Sequence, residues 1–293
     1  MARGLFYTAM LAGLLLASSG CARYSLAAYE RSIVYQPSSA EAGEWSPPRT
    51  IGFEDANFNA ADGTRLHGWF LAHPEPRAVV LFMHGNGGNV ALWAPSLKFL
   101  VDRHRVSALV FDYRGYGKSA GEPSEKGILQ DARAARAWLA ERTRVNESDV
   151  VLMGQSLGGG VAVDLAAKDG ARGLVLVSTF TSMPDVAAQH INWLPTQWLM
   201  TQRFHSLAKI RSYPGPLLVC HGDADHLIPF EQGEQLYLEA ASTQKEFIRH
   251  VGGDHNDPPP EEYRLALDRF FDTLPAARSA IAGELPAYQP NVR

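Results

Sequence analysis

A chain of 293 residues with 46% hydrophobic content is long enough to bury one large core, or two smaller ones. The net charge of −4, with no Lys/Arg cluster or basic stripe, weighs against nucleic-acid binding. Two cysteines, Cys21 and Cys220, have no CxxC spacing and argue against both a structural zinc site and a disulfide framework.

The first twenty residues differ in kind from the rest. Arg3 supplies a positive start, residues 5–17 are apolar, and Ser18-Ser19-Gly20 leads into Cys21. The apolar run falls short of the ~20 residues a transmembrane helix needs and reads as an export signal. Small residues directly before a cysteine resemble the cleavage box of bacterial lipoproteins, although Ser18 stands where Leu is usual. The resemblance implies a signal peptide over 1–20, lipidation of Cys21, and a mature protein anchored in the cell envelope of a bacterium. Ala22 favours the outer membrane in that scheme. Ordinary secretion to the periplasm and an uncleaved anchor are the alternatives. A modified Cys21 would leave Cys220 as the only thiol.

Residues 21–48 form a lead-in, with a short helix expected over 24–35. Pro37, Pro47 and Pro48 with Ser38 and Ser39 suit a tether. One large domain over 49–278 follows. Strands are expected at 51–59 and 64–71, joined by an Asp62-Gly63 turn. Then apolar runs alternate with helical stretches: strands at 78–83, 106–111, 149–153, 173–178, 217–221 and 245–251; helices at 89–101, 124–141, 156–168, 230–241 and 260–273. Continuous apolar strands between helices predict a mostly parallel sheet covered on both faces, with the leading hairpin antiparallel. Residues 181–216 break the alternation and carry Met183, Trp193, Leu194, Trp198, Leu199, Met200 and Phe204. They read as a small helical cap that walls an apolar acyl pocket, or as an ordinary crossover with its own packing. Residues 279–293 lack periodicity and read as a loose tail.

The chemistry concentrates in loops that follow strands. Val150-Val151-Leu152-Met153 runs into Gly154-Gln155-Ser156-Leu157-Gly158, a strand-to-helix corner that would lift the Ser156 hydroxyl clear of the backbone. Gly-x-Ser-x-Gly arises by chance in roughly one chain in ten of this length, so the other loops must decide. A serine nucleophile needs a base, a group that orients the base, and donors for an oxyanion. His84-Gly85-Asn86-Gly87-Gly88-Asn89 offers backbone donors after a strand, and the N–H groups of Asn86 and Leu157 are the expected oxyanion hole. A phosphate-cradling role is disfavoured because no Gly-Lys-Ser/Thr follows. His84 is read as structural rather than as the base. In His221-Gly222-Asp223-Ala224-Asp225, Asp225 is the expected orienting carboxylate and Asp223 a turn residue. In Gly253-Asp254-His255-Asn256-Asp257, His255 is the expected general base, with His250 inside a strand as its competitor.

The resulting order Ser156, Asp225, His255 is the one the α/β-hydrolase fold requires, and the chain resembles that superfamily over about residues 50–275. It further resembles the membrane-associated branch that includes eukaryotic protein depalmitoylases. The motifs are residues 33–37, 84–89, Asp112-Tyr113-Arg114-Gly115-Tyr116-Gly117-Lys118-Ser119, 154–159, Ser178-Thr179-Phe180-Thr181-Ser182, 221–229 and 253–257. Asp254 departs from the small residue common before the base; pointing inward, it would raise the pKa of His255. The resemblance implies a serine hydrolase that cleaves esters or thioesters of small-molecule or lipid-like acyl substrates. It needs no metal or organic cofactor and meets the membrane through Cys21. An amidase or peptidase with the same triad is the alternative, and a non-catalytic binding platform a third reading.

Overall fold

The structure, a computed structural model, describes residues 20–39 and 52–278, with side chains from residue 27 onward. The expected signal segment before Gly20, the side chain of Cys21, residues 40–51 and the expected tail from 279 lie outside the described residues. Among the described residues no helix is long and apolar enough to cross a membrane.

An eight-stranded sheet carries the fold. Its strands are β2 (Glu54–Asn59), β3 (Arg65–Leu71), β4 (Ala78–Met83), β6 (Val106–Asp112), β7 (Val150–Gln155), β8 (Gly173–Val177), β9 (Leu217–Gly222) and β10 (Lys245–His250). Their order across the sheet is β10-β9-β8-β7-β4-β6-β3-β2. Neighbours from β10 to β6 pair in parallel, while β6–β3 and β3–β2 are antiparallel. The hairpin between β2 and β3 is closed by Ala60 and Thr64, whose N–H is held by the Asp62 carboxylate at 3.1 Å.

The central strands are mostly apolar, and β4 is apolar throughout, because both faces are covered. In β4, Val79, Leu81 and Met83 point into one core with Ile128, Ala132, Val161 and Leu165 of the helices Glu125–Thr143 and Leu157–Asp169. Ala78, Val80 and Phe82 point into the other, against Leu97, Leu100, Leu267 and Phe270 of the helices Val90–His104 and Glu261–Asp272. The period of two survives inside an unbroken apolar run, one residue to each layer.

The lead-in helix, expected over 24–35, spans Gly20–Val34, and Val34 and Tyr35 are buried in the main core. A two-residue strand β1 (Gln36–Pro37) then pairs with β5 (Gly87–Gly88) of the loop after β4. The 181–216 segment does form three short helices, Met183–His190, Thr196–Leu199 and Ser206–Ile210. Its aromatic residues, however, do not all face inward. Phe204 is buried, whereas Trp193 and Trp198 are 79% and 86% exposed.

Candidate active site

β4 and β7 lie side by side near the middle of the sheet, and the strand order turns there, which opens a crevice beyond their carboxyl ends. The loop after β4 and the elbow after β7 therefore meet. Gly154 and Gly158 make the elbow possible. A Cβ on Gly158 would sit 2.0 Å from the Met83 carbonyl oxygen, and one on Gly154 would sit 2.3 Å from that of Gly158. Ser156 takes φ 52°, ψ −119°, a conformation that costs a non-glycine residue roughly 1–3 kcal/mol. The strain is held from β8: Ser156 N–H donates to Val177 C=O at 2.9 Å, and the Thr179 hydroxyl donates to Ser156 C=O at 2.8 Å.

The turn brings three loops together. Ser156 Oγ lies 3.1 Å from His255 Nε2, and His255 Nδ1 lies 2.8 Å from Asp225 Oδ2. All three side chains are buried, each less than one-tenth exposed. With Nδ1 facing a carboxylate, the ring carries its proton there and leaves Nε2 free to accept from the serine. Asp225 Oδ1 accepts from the N–H groups of Leu227 and Ile228 at 2.9 and 2.8 Å. Burial alone would push this carboxyl up. Hydrogen bonds from His221, His255 and the Ile228 N–H outweigh it and hold Asp225 well below the usual carboxylate range.

His221 carries no motif of its own, and sequence reasoning gave it no role. Its Nε2 lies 2.9 Å from Ile228 C=O and 3.3 Å from Asp225 Oδ2, so its N–H also braces the carboxylate oxygen that His255 engages. Thr179 was likewise visible only as part of a motif. The detectable signal in both cases is position: Thr179 follows β8, beside the elbow strand, and His221 sits at the carboxyl end of β9, one strand further out.

The remaining candidates separate cleanly. The N–H groups of Asn86 and Leu157 donate to no other group among the described residues. Asn86 follows Gly85, whose Cβ position is 3.7 Å from Ser156 Cβ, and Leu157 opens the helix whose positive end faces the crevice. His84 is fully buried; burial lowers its pKa, and its Nδ1 is engaged with Gly85 C=O at 2.7 Å. Asp223 binds the Gly252 N–H at 2.6 Å and Arg249 at 2.9 Å and so ties the turn after β10. Asp254 turns away from the imidazole: its carboxylate accepts from the backbone N–H groups of His226 and His255 at 3.0 and 2.7 Å. His250 ends β10, its ring packed under Gly253. Cys220 is buried in β9, and burial pushes its thiol up to about 12, which removes it as a rival nucleophile. Among the described residues no three His, Cys, Asp or Glu side chains group to hold a metal ion.

A family model described as the alpha/beta hydrolase fold matches residues 78–204. The alpha/beta hydrolase domain-containing protein WAV2 of Arabidopsis thaliana is 30% identical over 255 residues, which cover 79% of this chain and 83% of that protein. The chain belongs to the α/β-hydrolase family. An uncharacterized protein of Mycobacterium tuberculosis is 35% identical over 257 residues, 87% of this chain and 90% of the relative. Among solved structures, an esterase of Pyrococcus furiosus superposes with a TM-score of 0.67 at 21% identity, over 82% of this chain and 98% of the esterase. That likeness is one of fold.

Proposed function

We propose that this hydrolase cleaves carboxylic esters or thioesters of acyl, lipid-like substrates through a covalent acyl-enzyme. The observation that carries the reading is the unbroken chain Ser156 Oγ, His255, Asp225 at 3.1 and 2.8 Å. Ser156 Oγ attacks the acyl carbon as its proton passes to His255 Nε2. Asp225, ionised and held by four donors, stabilises the imidazolium. The N–H groups of Asn86 and Leu157 receive the oxyanion. Collapse breaks the bond to the leaving alcohol or thiol, which takes the proton from Nε2. Water then attacks the acyl-enzyme by the same route and releases the carboxylic acid. The name of the Pyrococcus furiosus neighbour, an esterase, is in keeping with this reading.

The depalmitoylase-like branch and the anchor at Cys21 belong to the same proposal: an acyl hydrolase held at the envelope surface. A fluorophosphonate probe should label the protein, and Ser156→Ala should abolish labelling; labelling that survives would refute the nucleophile. Hydrolysis of p-nitrophenyl butyrate should outpace that of an aminoacyl-p-nitroanilide. The reverse order would make the protein an amidase.

A further inference from the structure

The loop that follows β4 contains Gly85, Gly87 and Gly88, a backbone soft enough to let the Asn86 N–H wander. An oxyanion donor works only when it is aimed before charge develops. Both peptide planes beside Asn86 are in fact held. A peptide is planar, so fixing its C=O fixes the N–H on its other side. The plane that contains the Asn86 N–H has the Gly85 C=O, which His84 Nδ1 engages at 2.7 Å. The next plane has the Asn86 C=O, which accepts twice: from the Gln36 N–H at 3.0 Å and from the Tyr116 hydroxyl at 2.8 Å.

Gln36 lies in the lead-in, outside every catalytic motif. Its grip extends along a short parallel ladder, Gln36 opposite Gly87 and Pro37 opposite Gly88, continued by Ser38 N–H to Gly88 C=O at 3.1 Å. The ladder is itself anchored. Tyr35 is 2% exposed and donates its hydroxyl to Gln202 Oε1 at 2.8 Å. The buried Glu30 carboxylate accepts from the N–H groups of Thr201 and Gln202 at 2.8 and 2.7 Å.

We propose that the segment 34–39 is a positioning element of the oxyanion hole: the Gln36 N–H and the Tyr116 hydroxyl hold the Asn86 C=O, the plane that follows the Asn86 N–H, while His84 holds the plane of the N–H itself, and clamping both sides of Asn86 sets the direction of its N–H. This rests on the reading of Ser156 as nucleophile and Asn86 as oxyanion donor. It goes beyond that reading by making the N-terminal lead-in part of the catalytic apparatus.

Two full-length variants test it. Gln36→Pro removes the N–H, and Tyr116→Phe removes one hydroxyl from a fully buried ring. Each should lower kcat for p-nitrophenyl butyrate by roughly 10- to 100-fold while KM moves by less than about threefold. Affinity for n-butylboronic acid, which mimics the tetrahedral intermediate, should fall by the same factor as kcat. Fluorophosphonate labelling should still reach completion, only more slowly. Unchanged kcat in Tyr116→Phe overturns the proposal, whatever happens to the melting temperature, and so does a loss carried by KM. Should Gln36→Pro fail to fold, Tyr116→Phe decides alone. A wild-type protein that is not labelled at Ser156 would instead overturn the hydrolase reading, so the two failures are told apart.

Discussion

The Thr179 hydroxyl donates to the carbonyl of Ser156 at 2.8 Å, so the strained turn that displays the serine is tied to the strand beside it. Thr179 is almost wholly buried and touches the elbow a second time, through the place a Cβ on Gly159 would occupy. Thr179→Val keeps the shape and deletes the donor. It should cost about 1 kcal/mol of stability in urea unfolding, the net worth of one hydrogen bond. It should also lower kcat by up to about tenfold, since a misplaced nucleophile loses its alignment. Wild-type kinetics in this variant would show that the strand neighbour does not hold the turn.

Asp225 should make the fold acid-sensitive in a predictable direction. Its folded carboxyl is held below its unfolded value, so it stabilises the protein at every pH above about 4 and progressively less as the pH falls below that. Urea unfolding at pH 6 and pH 3 should therefore show a steeper loss in the wild type than in Asp225→Asn. The same variant should lose on the order of 10⁴ in kcat, because an amide leaves the imidazole in the wrong tautomer. Equal pH dependence in the two proteins would remove Asp225 as the group responsible.

Gly158→Ala should be far more damaging than a typical helix substitution. Alanine is the better helix former, yet here its methyl would meet the Met83 carbonyl oxygen at 2.0 Å, backbone that cannot step aside. A destabilisation above ~3 kcal/mol or failure to accumulate folded protein is expected. Thermal melting decides, and a variant as stable as wild type would mean the elbow relaxes in a way this packing forbids.

Cys21 is the expected point of attachment to the envelope. Wild-type protein should sediment with membranes and Cys21→Ser should remain in the supernatant. If both remain in the supernatant, the protein has no lipid anchor at this position. One acyl chain alone gives only marginal membrane binding, so tight sedimentation would further imply the multiple chains of a lipoprotein anchor.

Much of this was legible because the physics is local. Val79 and Ala78 serve two different cores, yet both had to be apolar, so β4 stood out as an unbroken run. Ser156 directly follows β7, Asp225 and His255 lie in the loops after β9 and β10, and the fold's chain order paired them without knowledge of any distance. Residues 33–37 stood out only as a stretch shared with the membrane-associated branch, not as a brace at Gln36. Pro37 and Ser38 read as linker chemistry, and a ladder of two residues to Gly87 and Gly88 leaves no periodic trace in either segment. The direction of Trp193 and Trp198 was hidden for a related reason. In a helix of four residues such as Thr196–Leu199, hydrophobicity has no repeat from which a facing side can be deduced.

Ser156 and His255 stand 99 residues apart in the chain, and His255 follows β10, an edge strand of the sheet and the last strand in the chain among the described residues. On the proposed assignment, a chain that has not yet added this edge strand has no base for its serine, so activity begins only once the strand is in place.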